Sequence, residues 1–259
     1  MSLPLAARMG FGRVKGNAAK LQIGMRAVTL ATAGQPAASI TLDEPSVRAV
    51  CETTTALLDQ RADRNVQVHL GCGWTRILLL PWSERLAREE HWRNLAAARF
   101  EELFGDDPAA WEIRVANNLP GSARVAVGWP KALYETLAAH RQVRSVRVGL
   151  LEHLGILLAQ APHFSGCVIE LDTDGAGFLL LLRGGVQRAR WRRYDGAQGL
   201  ASAVHAEWAS VLASQDDSGD IPSSLAVTPP ALVPGSERAA AIQELVVRLG
   251  IREGFSLPD

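Results

Sequence analysis

Two glycine-bearing turns and one row of arginines are where this sequence could do chemistry. The first turn is Leu70-Gly71-Cys72-Gly73-Trp74-Thr75 and the second is Leu171-Asp172-Thr173-Asp174-Gly175-Ala176-Gly177-Phe178. Glycines between strands let backbone amides approach an anion, and a neighbouring acid can hold a magnesium ion. On that logic Gly71, Gly73, Asp172, Asp174, Gly175 and Gly177 are candidate phosphate-binding residues. The same stretches also read as plain hairpin turns, since Asp-Gly is a strong hairpin signal. The first turn has no carboxylate, and Phe178 stands where a hydroxyl would help.

The arginine row is Arg188, Arg190 and Arg192. On a strand, alternate residues share a face, so the three guanidinium groups project together while Gln187, Ala189, Trp191 and Arg193 take the other side. A planar donor fork suits carboxylates and phosphates, which makes these residues candidates for binding an acidic partner or an anion. A solvated sheet face or a charged edge strand is the alternative. Trp191 and Tyr194 bring stacking on nucleic acid to mind. Lys plus Arg and Asp plus Glu both number 27, however, and no nucleic-acid-binding motif is present, so nucleic acid is disfavoured as a partner.

Other chemistry is missing. The histidines never form HxH, HxxH or HExxH, so no metal site is expected. There is no GxSxG elbow, no Walker loop and no GxGxxG. No catalytic residue can be named from spacing. Cys51, Cys72 and Cys167 form no CxxC pair and read as small packing residues of a reducing compartment.

The elements that must position these residues follow from periodicity. Leu21 to Leu30 alternates as one strand, with Ala38 to Leu42 its hairpin partner across Gly34-Gln35-Pro36. Asp43 or Ser46 caps a helix through Leu58. Val66 to Leu70 and Thr75 to Leu80 are strands joined through Gly71-Cys72-Gly73. Ser83 caps a long helix that ends at Phe104 and Gly105. Trp111 to Ala116 and Arg124 to Val127 are strands, and Pro130 opens a helix from Lys131 to His140. Val143 to Leu150 is a strand and Leu151 to Ala161 a helix. Cys167 to Leu171, Gly177 to Leu182 and Val186 to Trp191 are strands, and Gln198 to Ala213 is a helix.

Around this body, residues 1–20 form a basic arm and 21–214 an α/β body with a subdivision expected near 140–165. Residues 215–235 have the Pro/Asp-rich composition of a linker, and 236–259 carry a short helix, Glu237 to Leu249, and a tail. With no signal-peptide pattern and no apolar run of spanning length, the expectation is a soluble cytoplasmic protein.

One resemblance adds to this. Val66-Gln67-Val68-His69-Leu70 turning into Thr75-Arg76-Ile77-Leu78-Leu79-Leu80-Pro81-Trp82, then a long helix, resembles the start of the PilM and GspL families. Those are actin-like cytoplasmic proteins of type IV pilus and type II secretion assembly. Val168-Ile169-Glu170-Leu171-Asp172-Thr173-Asp174-Gly175, the two strands after it and Gly184-Gly185 look like the second phosphate hairpin of that fold. The resemblance covers roughly Leu21 to Ala213. It implies an α/β fold that is actin-like and ribonuclease-H-like, with mixed sheets and flanking helices in two subdomains. It also implies a protein partner, the cytoplasmic segment of an inner-membrane protein, placing the chain beneath that membrane without a span of its own. PilM-like members bind ATP between two Asp/Gly turns. This sequence departs from them at Gly71-Cys72-Gly73, which lacks the Asp, and at Phe178. The leading expectation is therefore a scaffold with a degenerate nucleotide site and no cofactor. The alternatives are an active ATPase or sugar-kinase-fold enzyme holding ATP with magnesium, and an anion- or nucleic-acid-binding module.

Overall fold

The computed structural model describes residues 19–32, 35–60, 65–86, 88–116, 121–172, 175–193, 202, 206 and 224–228. The expected single strand from Leu21 to Leu30 is two. β1 (Ala19–Ile23) turns at Gly24-Met25-Arg26 into antiparallel β2 (Ala27–Ala31), closed by a Gly24 amide to Ala27 carbonyl bond of 2.9 Å. Apolar residues run through both strands with no polar cluster between them, so the turn is hidden in the pattern. β3 (Ala38–Thr41) pairs with β2 as expected. Ser46 caps α1 (Val47–Asp59), its Oγ accepting from the Ala49 amide at 3.1 Å. β4 (Val66–Leu70) then returns parallel to β1.

From β4 the chain leaves the first sheet. Cys72–Trp74 makes one tight helical turn, and β5 (Arg76–Leu80) pairs with a later strand, β7 (Arg124–Pro130), rather than with β4. With β6 (Trp111–Val115) these form a three-stranded antiparallel sheet in the order β5-β7-β6. α2 (Glu89–Phe104) lays Trp92, Ala96 and Phe100, one turn apart, against Leu78, Leu80 and Ala126. It begins six residues later than the expected Ser83 cap. Ser83 Oγ instead takes the Arg85 amide at 3.3 Å in a separate turn. Gly105 ends the helix with φ +69°, a left-handed conformation that favours glycine.

α3 (Lys131–Ala139) follows Pro130, and β8 (Val143–Val148) completes a five-stranded sheet, order β3-β2-β1-β4-β8, parallel to β4. α4 (Gly149–Gln160) starts where β8 stops, two residues before the expected boundary. Its Leu150, Leu151, Leu154, Leu157 and Leu158 are all buried and belong to one core with Val168, Leu179 and Leu181. Each fully buried leucine contributes roughly 2 kcal/mol, so this helix cements the passage from one sheet to the next.

β9 (Gly166–Leu171), β10 (Gly175–Leu182) and β11 (Gly185–Arg193) form an antiparallel meander, as expected. β12 (Ser224–Thr228) joins β9 in parallel, giving the order β11-β10-β9-β12. This strand corrects the expectation of a plain linker over 215–235: the second sheet draws on residues beyond 214. The order matches β3-β2-β1-β4, so the molecule contains the same strand arrangement twice. Of the helix expected over Gln198 to Ala213, Ser202 and Ala206 are described and helical. The basic arm to residue 18, Asp174 and the helix expected from Glu237 to Leu249 lie outside the described residues. Among the described residues, no helix is long and apolar enough to cross a membrane.

Candidate functional site

β9 is buried on both faces, and alternation puts Glu170 and Asp172 on the same side at its C-terminal end. Asp172 lies across from the β1–β2 turn. Its carboxylate accepts the Met25 amide through both oxygens, at 3.0 and 3.1 Å. A carboxylate on a backbone N–H is a charge-assisted bond and is stronger than a neutral one.

Three glycines make room for it. A Cβ placed on Gly24 would lie 3.2 Å from Asp172 Oδ1, one on Gly71 3.1 Å from Oδ2, and one on Gly73 2.9 Å from Oδ2 and 3.0 Å from Met25 Cβ. The turn itself is braced by the buried Trp74, whose indole Nε1–H donates to the Gly24 carbonyl at 2.8 Å. Gly71, Gly73 and Asp172 are therefore brought together, but in direct contact. Gly175 and Gly177 sit instead on β10, against side chains. The Trp191 ring covers the first, while Cys72 Cβ and Leu150 cover the second.

Glu170 was not legible as a site residue. It is 8% exposed and lies against Gly149 at the start of α4, with the amides of Leu150 and Cys72 directed to it. Its Oε2 has no hydrogen-bond partner among the described residues. Burial, reinforced by the charge of Asp172, pushes its pKa up to about 8, so it is neutral at pH 7. The Cys72 thiol donates to the Glu170 carbonyl at 3.5 Å, and burial, then the two nearby carboxylates, push its pKa well up. It stays a thiol and is no nucleophile. Met25 was missed because the turn carrying it reads as strand; Gly24 within that run was the available signal. For Glu170 the signal was a lone acid between Ile169 and Leu171.

The first turn of α4 itself carries a second carboxyl. Glu152 accepts from His69 Nδ1 at 2.6 Å and from Arg147 at 2.6 Å. Burial alone would raise its pKa, but the bonds and charges of His69 and Arg147 outweigh that and hold it at about 2. The adjacent His153 is lowered to about 4 by burial and is neutral.

Arg188, Arg190 and Arg192 occupy one face of β11, as alternation required, with Trp191 on the other. β11 and β5 wall a groove of about 500 Å³. The half-buried Arg76 of β5 has its guanidinium 5.9, 5.6 and 5.7 Å from the rings of Phe104, Trp111 and Trp191, and it donates to the carbonyls of Gly73 and Thr75 at 3.3 and 3.2 Å. It thus ties the groove to the loop that cradles Asp172. Among the described residues, no group of three or more His, Cys, Asp or Glu is placed to hold a metal ion.

No family model matches the chain, and no curated protein matches it in sequence. Solved structures do match it in shape. A Bacteroides thetaiotaomicron protein with an actin-like ATPase fold and unknown function aligns with a TM-score of 0.56 at 12% identity, over 92% of this chain and 90% of that one. The PilM–PilN type IV pilus biogenesis complex aligns with a TM-score of 0.59 at 16% identity, over 92% of this chain and 87% of that one. The cytoplasmic domain of EpsL, an inner membrane component of the type II secretion system of Vibrio cholerae, aligns with a TM-score of 0.49 at 10% identity, over 90% and 95%. The first two alignments, with the doubled strand order, establish an actin-like α/β fold of mixed sheets and flanking helices.

Proposed function

We propose that this actin-like chain is an assembly scaffold of a type IV pilus or type II secretion-like machine, working through protein–protein contacts without turning over nucleotide. The observation that carries this reading is the Asp172 carboxylate seated on the Met25 amide, with Gly24, Gly71 and Gly73 closed around it. In the resemblance set out above, ATP sits between two such turns. Here the amide that could receive a phosphate oxygen is taken by a side chain of the other half, and the space around it is filled. A nucleotide would have to break a charge-assisted bond and separate packed backbone to enter.

The fold is shared with a protein solved as a complex with PilN, which supports a partner-binding role here. The proposed partner is the cytoplasmic segment of an inner-membrane protein, which would hold the chain peripherally at that membrane. An ATPase of the same fold would instead need the two turns apart. The test is binding of the full chain to synthetic cytoplasmic segments of inner-membrane pilus and secretion components. Micromolar binding that is indifferent to ATP supports the scaffold. Failure of every segment, or binding that requires ATP and magnesium, overturns it.

A further inference from the structure

The three-stranded sheet has two edges. β5 faces β11 across the groove, whereas β6 is the other edge, and among the described residues no strand pairs with its outer side. Its sequence, Trp111-Glu112-Ile113-Arg114-Val115, alternates aromatic or β-branched strand formers with two charges. Alternation puts Trp111, Ile113 and Val115 on the side that α2 covers. The buried residues of α2 sit over Leu78, Leu80 and Ala126, on β5 and β7. The three apolar side chains of β6 therefore lie at the margin of that cluster and are only half-buried.

The opposite face of β6 carries Glu112 and Arg114, joined by an ion pair of 2.7 Å. Arg114 also donates to the Tyr134 hydroxyl at 3.4 Å, with its guanidinium 5.7 Å from that ring, so α3 helps to hold it. Edge strands are commonly blunted by charge, which repels a second copy. Here the two charges have opposite sign and flank Ile113 evenly. Laid antiparallel against a copy of itself, with Ile113 facing Ile113, the strand sets Glu112 opposite Arg114 and Arg114 opposite Glu112. Trp111 then meets Val115 on the other face, and no like charges come together. A carboxylate has a second oxygen and a guanidinium has five donors, so each group can serve its neighbour and the copy at once.

We propose that β6 is a homodimerisation edge, at which two copies of this chain pair their β6 strands antiparallel about Ile113. The apolar halves of Trp111, Ile113 and Val115 are buried along the seam, and Glu112 and Arg114 form reciprocal ion pairs across it. The two-fold axis keeps both α2 helices on one side and joins two three-stranded sheets into a continuous one. Such an interface uses the same patch on both copies and closes at two. The strand is short, so a weak dimer in the micromolar range is expected. The inference stands apart from the scaffold reading, which concerns a different partner.

Sedimentation velocity of the intact chain over a concentration series provides the test, with circular dichroism confirming that each variant folds. Wild type is expected to pass from monomer to dimer. Glu112→Arg and Arg114→Glu each set like charges against one another across the axis, and each should weaken the dimer about tenfold or more. The double variant Glu112→Arg/Arg114→Glu restores opposite charges in the same register and should dimerise as wild type does. An equimolar mixture of the two single variants should form a heterodimer for the same reason. Wild type that stays monomeric into the millimolar range, single variants that dimerise like wild type, or a double variant and a mixture no tighter than the single variants overturns the assignment.

Discussion

The β1–β2 and β9–β10 hairpins occupy the same place in two sheets of the same strand order, yet they offer opposite groups. The first presents a backbone amide, at Met25, from a turn with no acid. The second presents a carboxylate, at Asp172. Their complementarity lets the halves bond to each other directly, and the glycines of the first half let them approach. The contrast recurs between the half-buried Glu152 of α4 and the buried Glu170 of β9. Glu152 meets a histidine and an arginine and is held at about 2, while Glu170 meets burial and another acid and is raised to about 8. Burial is common to both; the presence of a cation decides the sign.

The largest expected effect comes from Glu170. Its folded pKa lies above its ordinary value of 4.5, so the stability that goes with the neutral form is complete below about 4.5 and is lost as pH rises towards 8. Glu170→Gln removes that loss. Relative to wild type the variant should gain about 1.4 kcal/mol per pH unit through this window, of order 5 kcal/mol across it. Urea unfolding at pH 5 and pH 8.5 measures the gap, and a constant difference would mean that Glu170 ionises normally in the fold.

Gly73→Val should cost about 3 kcal/mol, because the new side chain overpacks against Asp172 and Met25. Chemical denaturation checks it, and a neutral result would show that the two turns have room between them. Glu152→Gln works in the opposite pH direction from Glu170→Gln. The wild-type carboxylate stabilises the fold above 4.5 and loses that contribution as pH falls towards 2. The variant should be about 2 kcal/mol less stable at pH 7, with the difference shrinking through that acid window. Denaturation midpoints from pH 7 down to pH 2.5 would reveal it.

How much of this could be read in advance depended on whether the signal was local. Ser46 capping α1, Gly105 closing α2 and the glycine-separated β9, β10 and β11 were legible because caps, turns and alternation act over a few residues. The start of α2 was not, because Ser83 can cap a separate turn as readily as a helix. β12 was hidden by prolines around it that suggest a linker. The candidate site was half visible. Gly71, Gly73 and Asp172 stood out, but the group they converge on is Met25, 147 positions from Asp172 and inside an unbroken strand pattern. Nor could periodicity show that Gly71-Cys72-Gly73 leads from one sheet into another, since that depends on which later strand β5 pairs with.

Closure of the two turns over Asp172 is tested most directly by calorimetric titration of ATP with magnesium into the intact chain. The expected result is no binding heat up to millimolar nucleotide, with wild type and Asp172→Ala alike. A micromolar dissociation constant in wild type that is lost in Asp172→Ala would contradict it, showing that the carboxylate serves a bound nucleotide and not the joint between the halves.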